Sequence, residues 1–225
     1  MMGHRSLSIA CVVLLVCLLD AQEASHAPFK TSNSVPASAP DSGAISNGVY
    51  RDAFFGFSDK LTYGWVDRTD DMRENPEQAA PGTTEAPDAH SQSRAKPTVL
   101  LAMFERPPEA TGETVNSAVV FAAEPVSSYP GLRNAEHYFG PLTDLVRSKQ
   151  FTVVNEPYEF PVDAKTLMRA DFSKPLGKLT MYQSTLVFIQ KGYVVSLTFI
   201  GGSDDEVNGL VDELSFGVKA KAGQK

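Results

Sequence analysis

The stretch KLTMYQSTLVFIQKGYVVSLTFIGGSDDEVNGLVDELSF, residues 178–216, decides the fold. It contains two apolar runs joined by Lys191 and Gly192, followed by a pattern typical of a short helix. A two-residue loop with a glycine, which adopts positive φ without strain, predicts a tight antiparallel hairpin. The pairs predicted on one face of the hairpin are Phe188 with Val195, Leu186 with Leu197 and Ser184 with Phe199. That face is almost entirely apolar, so burial should fix the register.

The residues after the hairpin predict a helix that packs on it. Ser203 is a favourable N-cap, and Glu206 stands three residues later, at the spacing of a capping box. One helical face is then apolar, formed by Val207, Leu210, Val211 and Leu214. A helix of about three turns is marginal alone, so we expect this face to cover the hairpin. The acidic residues at 204–206 could instead bind a cation, but helix-start chemistry accounts for them.

Strand and helix patterns continue through the rest of the domain. Aromatic and β-branched runs predict two short strands between residues 49 and 66, and further strands at 98–105, 117–123, 151–158 and 167–172. Asn134 can cap a helix whose apolar stripe is Tyr138, Leu142, Leu145 and Val146. Pro141 predicts a kink there, or a restart with Pro141 in the first turn. The order of elements predicts an α+β fold, an antiparallel β-sheet flanked by helices.

Two groups of residues carry a resemblance to a known family. Tyr50, residues 55–58 (Phe-Gly-Phe-Ser) and the pair Gly64-Trp65 resemble the opening of PsbP-like and related DUF1795-type domains. Residues 192–195 (Gly-Tyr-Val-Val), the acidic-capped helix and residues 214–216 (Leu-Ser-Phe) are similar to the end of those domains. The resemblance covers residues 48–216 and implies the Mog1/PsbP-like α/β/α sandwich. Family members have a proline shortly before the Gly-Trp pair, where Thr62 and Tyr63 stand here. No metal-binding or partner-binding residue carries over.

The first 21 residues predict export. Arg5 precedes an apolar run at 9–19 that is too short to span a bilayer, and a small residue, Ala21, follows it. We expect residues 1–21 to be a signal peptide, which makes the protein periplasmic or secreted. A lipid anchor at Cys17 is an alternative. Both cysteines, Cys11 and Cys17, lie in this segment, so the processed chain would have no thiol.

The remaining segments divide by composition. Residues 22–47 are rich in Ser, Ala and Pro and are predicted to be a disordered tether. Residues 48–217 are predicted to be a single domain, and residues 218–225 a disordered tail. Residues 67–97 lack Ile, Leu, Val, Phe, Tyr and Trp, and we predict a flexible acidic insertion. Asp70, Asp71, Glu74 and Glu77 stand there at helical spacing, where a solvated face is a simpler explanation than calcium binding.

Charge and motifs narrow the function classes. The net charge of −7 disfavours nucleic acid and anionic membranes as partners, and no second hydrophobic span predicts an integral membrane protein. The chain lacks a G-x-S-x-G elbow, an H-E-x-x-H motif, a Gly-rich phosphate loop and a Rossmann fingerprint. His137, the one histidine outside residues 1–47 and 67–97, has no partner at motif spacing. We therefore predict no catalytic, cofactor-binding or metal-binding residue, and a protein that is not an enzyme.

Three aromatic residues are candidates for a ligand or partner surface: Tyr63, Trp65 and Tyr138. Trp65 beside Gly64 could stack on a ligand, although a tryptophan at a strand end is more often a core or rim plug. Our first hypothesis is an exported assembly or adaptor factor of the cell envelope that binds a protein partner. The alternative is a carrier of a small apolar ligand in a pocket between the sheet and the helix at 138–146. A third is a hydrolase with two facing carboxylates.

Overall fold

The computed structural model describes residue 40, residues 43–74 and residues 97–217. The predicted signal peptide, most of the tether, residues 75–96 of the insertion and the tail lie outside these residues. The strands are β1 (Ala44–Ser46), β2 (Val49–Asp52), β3 (Phe57–Lys60), β4 (Val66–Asp67), β5 (Thr98–Phe104), β6 (Ala118–Pro125), β7 (Thr152–Val162), β8 (Lys165–Leu176), β9 (Leu179–Gln190), β10 (Tyr193–Gly201) and β11 (Leu214–Phe216). The α-helices are α1 (Thr69–Glu74), α2 (Phe139–Ser148) and α3 (Asp204–Val211), and short 3-10 helices span Val126–Ser128 and Glu136–Tyr138.

The strands form two antiparallel sheets. One has seven strands in the order β4-β5-β6-β10-β9-β8-β7, and the other has four in the order β1-β2-β3-β11. With helices against the larger sheet, this confirms the predicted α+β class, an antiparallel sheet flanked by helices. The predicted hairpin is β9 and β10, in the predicted register, with Phe188 opposite Val195. Its loop residues Lys191 and Gly192 have φ values of 52° and 80°, the positive values that such turns need.

Each face of the seven-stranded sheet has its own hydrophobic core. On the first, which we call the α3 face, the four-stranded sheet and α3 cover the residues Phe121, Leu186, Leu197 and Phe199. On the second, the α2 face, α1, α2 and the 3-10 helices pack with Val120, Ala170, Phe172 and Val187. Because successive side chains of a strand point to opposite faces, the two cores alternate residue by residue along β6, β8, β9 and β10.

The structure confirms the predicted start of α3 but not its predicted end. Ser203 Oγ accepts a hydrogen bond from the backbone N–H of Glu206 at 3.1 Å, which confirms the N-cap. Val207 and Val211 are buried at 1% and 2% exposure, as the apolar stripe predicted. The helix ends at Val211, however, and Leu214 lies in β11. The prediction of Leu214 as a helical residue was wrong because β3 offers an open edge, with which residues 214–216 pair.

Two boundaries differ from the predicted ones. β1 at Ala44–Ser46 pairs with β2, so structure begins before residue 48. The helix α1 lies inside the segment predicted to be a flexible insertion. The edge of β5 explains the position of α1. Among the described residues, β4 pairs with β5 only at Met103 and Phe104. Further along that edge, Ala102 N–H donates to Thr69 Oγ1 at 3.0 Å, and Arg73 Nε donates to the carbonyl of Val99 at 2.7 Å. The helix thus takes the place of a missing strand.

The helix α2 and the first strands show two further outcomes. Asn134 Oδ1 accepts from the N–H of His137 at 3.0 Å, and Pro141 lies in the first turn of α2, which confirms the predicted restart. The strands expected near 54–58 and 61–66 are shifted to β3 and β4. Phe55 lies in a turn instead, because its N–H donates to Asp52 Oδ1 at 2.7 Å.

Candidate functional site

The three aromatic candidates do not form one site. Tyr63 is fully exposed, at 101%, in the turn before β4. Trp65 in the same turn is half-buried and packs against the core of the α3 face. Tyr138 is 4% exposed and belongs to the core of the α2 face. The structure therefore keeps Tyr63 and Trp65 near each other and places Tyr138 in a different core.

Within the part of the chain that the structure describes, the α2 face is open over the middle of the large sheet. Ala122 on β6 and Ser196 and Thr198 on β10 are only half-buried, although these strands are the third and fourth of seven. We call these three residues the open floor. Ser196 lies opposite Ala122 in the register, so the floor is continuous across the two strands. The opposite side of the same strands is sealed, since Phe121, Ala123, Val195, Leu197 and Phe199 are all 0% exposed.

The opening follows from side-chain size and from where the helices pack. Alanine, serine and threonine are too small to fill the space above a sheet that a helix does not cover directly. The helix α1 contacts β5, and α2 contacts β7, so the two helices lie toward opposite edges of the sheet. Between them, β6 and β10 present the small side chains of Ala122, Ser196 and Thr198. Among the described elements, the floor therefore lies between α1 and α2.

Polar groups extend from the floor onto β9. Thr198 Oγ1 and Thr185 Oγ1 lie 3.3 Å apart, within hydrogen-bond distance. Gln183 Nε2 donates to Thr185 Oγ1 at 3.2 Å. Gln183 is 2% exposed, and among the described residues its Oε1 has no hydrogen-bond partner. An unsatisfied buried polar atom is costly in a folded protein.

A buried carboxylate lies on the same face of β6. Glu124 is 8% exposed and follows Ala122 by two residues, so both side chains point to the α2 face. The hydroxyl of Tyr138 donates to Glu124 Oε1 at 2.7 Å, and that of Tyr129 donates to Oε2. The two rings are 5.3 Å apart in an edge-to-face arrangement. Burial, and then the negative charge of Glu124, raise the pKa of Tyr138 well above its usual value, so its hydroxyl remains a donor.

No cationic side chain of the described residues forms an ion pair with Glu124. Among the described residues, only the two tyrosine hydroxyls hold the carboxylate. The buried charge on the opposite face of the sheet differs in this respect.

The buried charges of the α3 face are paired. Arg169 Nε donates to Asp171 Oδ1 at 2.7 Å, and Ser184 Oγ donates to the same oxygen at 2.5 Å. Arg169 Nη2 also donates to Asn208 Oδ1 at 2.6 Å, which fastens α3 to the sheet. Tyr158 donates to Asp171 Oδ2 at 3.1 Å, and burial with the charge of Asp171 raises the pKa of Tyr158 to about 12. Asn155 Nδ2 also donates to Oδ2 at 2.9 Å, so each oxygen of Asp171 accepts two hydrogen bonds and this cluster serves packing.

Asp59 on β3 is a buried acid with less support. It is 2% exposed, and within the part of the chain that the structure describes its Oδ1 has no hydrogen-bond partner. Burial, with a smaller contribution from the charge of Glu213, raises the pKa of Asp59 to about 8. Asp59 lies between Tyr50 and Leu214 in the four-stranded sheet, away from the open floor.

The described residues contain neither a candidate metal site nor a candidate membrane-spanning helix. Within residues 43–74 and 97–217, no three His, Cys, Asp or Glu side chains are grouped as a metal ion would require. In the same part of the chain, none of the helices combines the length and apolar character of a membrane span.

Comparisons with known proteins add little. No protein-family model matches the chain, and no curated protein matches it. One similar solved structure is that of LpqN, described as involved in cell envelope biogenesis of Mycobacterium tuberculosis. It shares 11% sequence identity with this chain, the match covers 72% of this chain and 83% of LpqN, and the TM-score is 0.34. At that TM-score the likeness carries no argument, and the resemblance to PsbP-like domains remains a prediction.

Proposed function

We propose that this chain is an exported, non-enzymatic binding domain, a carrier whose site is the open floor on the α2 face. The observation that supports it most is the contrast between the two sides of β6 and β10: one side is completely buried, and the other is half-buried at Ala122, Ser196 and Thr198. Central strands of a large sheet are normally covered on both faces when helices pack on both. A ligand site commonly combines apolar side chains with a few polar groups.

The lining indicates a ligand of mixed character. Val120 and Val187, beside the floor, supply apolar contacts, while Ser196 and Thr198 supply hydroxyls. A small molecule with an apolar body and a few hydrogen-bonding groups matches such a lining. The proposal that the protein is exported rests on residues 1–21 alone.

A fluorescent probe tests this proposal. N-phenyl-1-naphthylamine is neutral and brightens in apolar sites, so we expect its emission to rise with the wild-type protein. The Ser196→Phe variant fills the floor and should abolish the increase, whereas Thr180→Phe, at an exposed position of β9, should keep it. Equal emission with both variants, or no increase with the wild type, would refute a site at the floor.

A second candidate function is protein binding by an adaptor of the cell envelope. It is favoured by Tyr63, an aromatic side chain that is fully exposed beside the half-buried Trp65. Tyrosine and tryptophan supply large contact areas in protein interfaces. A photo-crosslinking amino acid placed at position 63 in cells should capture a specific envelope protein, and one at the exposed position Lys178 should not. Identical products from the two positions would argue against this surface.

A further inference from the structure

We propose that the open floor takes a ligand carrying a positively charged amine, and that Glu124 is the group that recognises it. This inference rests on the proposed function, since it names the ligand class of the same site. No metal ion, catalysis or protein partner is required.

Among the described residues, no cationic side chain balances the charge of Glu124. Burying a carboxylate is costly unless a cation or several hydrogen bonds compensate for it. On the α3 face the buried Asp171 has Arg169 at 2.7 Å. Glu124 is buried to a similar degree, but within the described residues it has only the hydroxyls of Tyr129 and Tyr138. A ligand ammonium would supply the missing positive charge.

Hydrogen bonds orient the Glu124 carboxylate but do not saturate it. Each of its oxygens accepts one tyrosine hydrogen bond, from Tyr138 to Oε1 and from Tyr129 to Oε2. A carboxylate has about four acceptor positions, so about two remain. Because two hydroxyls hold the group in place, a ligand that binds the remaining positions need not pay for ordering it.

Glu124 lies beside the open floor, on the same face of the sheet. Glu124 and Ala122 are two residues apart on β6, so their side chains stand roughly 7 Å apart on the same face. Ala122 is directly opposite Ser196 in the neighbouring strand. An ammonium at Glu124 therefore places the body of its ligand over the small side chains of the floor. A short aliphatic chain would contact Val120 and the threonine hydroxyls there.

Three probes with one body and different head groups separate charge recognition from simple apolar binding: hexylammonium, hexanol and hexanoate. Each is titrated into the isotopically labelled full chain at pH 7, and the amide signals of residues 122, 196 and 198 are followed by NMR. We expect hexylammonium to shift these signals with a Kd roughly tenfold or more below that of hexanol, the effect of one charged hydrogen bond. Hexanoate should bind more weakly than hexanol.

A matched pair of variants locates the recognition. Glu124→Gln should remove the preference for hexylammonium over hexanol. Glu136→Gln, which deletes an equal charge at an exposed position nearby, should retain it. Should Glu124→Gln fail to fold, the three-probe comparison on the wild type still decides. Hexanol or hexanoate binding as tightly as hexylammonium would overturn the amine assignment while leaving the proposed site intact. If none of the probes shifts the floor signals, the amine assignment and the site itself both fail.

Discussion

The carboxyl of Asp59 predicts an unusual dependence of stability on pH. It is 2% exposed, none of the described residues is a hydrogen-bond partner of its Oδ1, and its pKa is raised from 3.8 to about 8. The folded state therefore keeps the proton that the unfolded state releases near pH 4. The contribution of this group to stability is complete below pH 3.8 and is lost as the pH rises through about 8.

The size of this stability change follows from the shift in the pKa of Asp59. Between the two pKa values, the free energy of unfolding should fall by about 1.4 kcal/mol per pH unit, since one proton is bound in the folded state only. From pH 5 to pH 7 the loss is about 2.7 kcal/mol, a large part of the roughly 5 to 15 kcal/mol that stabilises an ordinary domain.

Urea denaturation followed by the fluorescence of Trp65, at pH 5, 6 and 7, measures this slope. Asp59→Asn keeps the shape of the side chain and removes its titration. We therefore expect its stability, relative to the wild type, to increase by about 2.7 kcal/mol from pH 5 to pH 7. Asp144→Asn, at an exposed position of α2, should keep the wild-type slope. A wild-type stability that is constant or rises over this range would refute the reasoning.

Two further predictions concern the attachment of α3. Arg169→Met leaves the buried Asp171 without its cation and removes the bond to Asn208, so we expect a loss of about 3 to 5 kcal/mol in the free energy of unfolding; replacing Asp171 by Leu as well should recover much of it, and a double variant as unstable as Arg169→Met would contradict this explanation. Ser203→Ala removes the N-cap bond to Glu206, and thermal unfolding should report a loss of about 1 kcal/mol; an unchanged Tm would mean that the cap does not stabilise α3.

Local chemistry was enough to predict part of this fold. The register of β9 and β10 is set by a two-residue turn and by the alternation of apolar residues on both sides of it. The cap of α3 is set by two residues three positions apart. Neither needs knowledge of distant parts of the chain, because the interacting residues are close in sequence.

The elements that the sequence did not reveal depend on distant partners. The helix α1 is stabilised by the unpaired edge of β5, across a gap of 26 residues from Arg73 to Val99. Leu214 joins a strand because β3 has an open edge. In both cases an unpaired backbone edge overrode the local pattern. A sequence pattern read one segment at a time does not contain that information.

The candidate site was anticipated only in part. The sequence predicts, as one hypothesis, a site between the sheet and the helix at 138–146. Of the three aromatic candidates, Tyr138 alone lies in that predicted helix. Glu124 was not identified because it stands at the end of β6 beside Pro125, where a charged residue is typical of a loop. The alternation of β6 is the signal that was available, since it places Glu124 on the same face as Val120 and Ala122.

The central claim, that the middle of the sheet is open on the α2 face alone, has a direct test. Ala122→Cys and Ala123→Cys introduce a thiol at adjacent positions of β6 whose side chains point to opposite faces. Iodoacetamide labelling of the folded full chain, with the modified peptide identified by mass spectrometry, separates these thiols from Cys11 and Cys17. We predict that the thiol at position 122 reacts at least about tenfold faster than the one at position 123, which only opening of the core would expose. Equal rates, or faster labelling at position 123, would contradict the account.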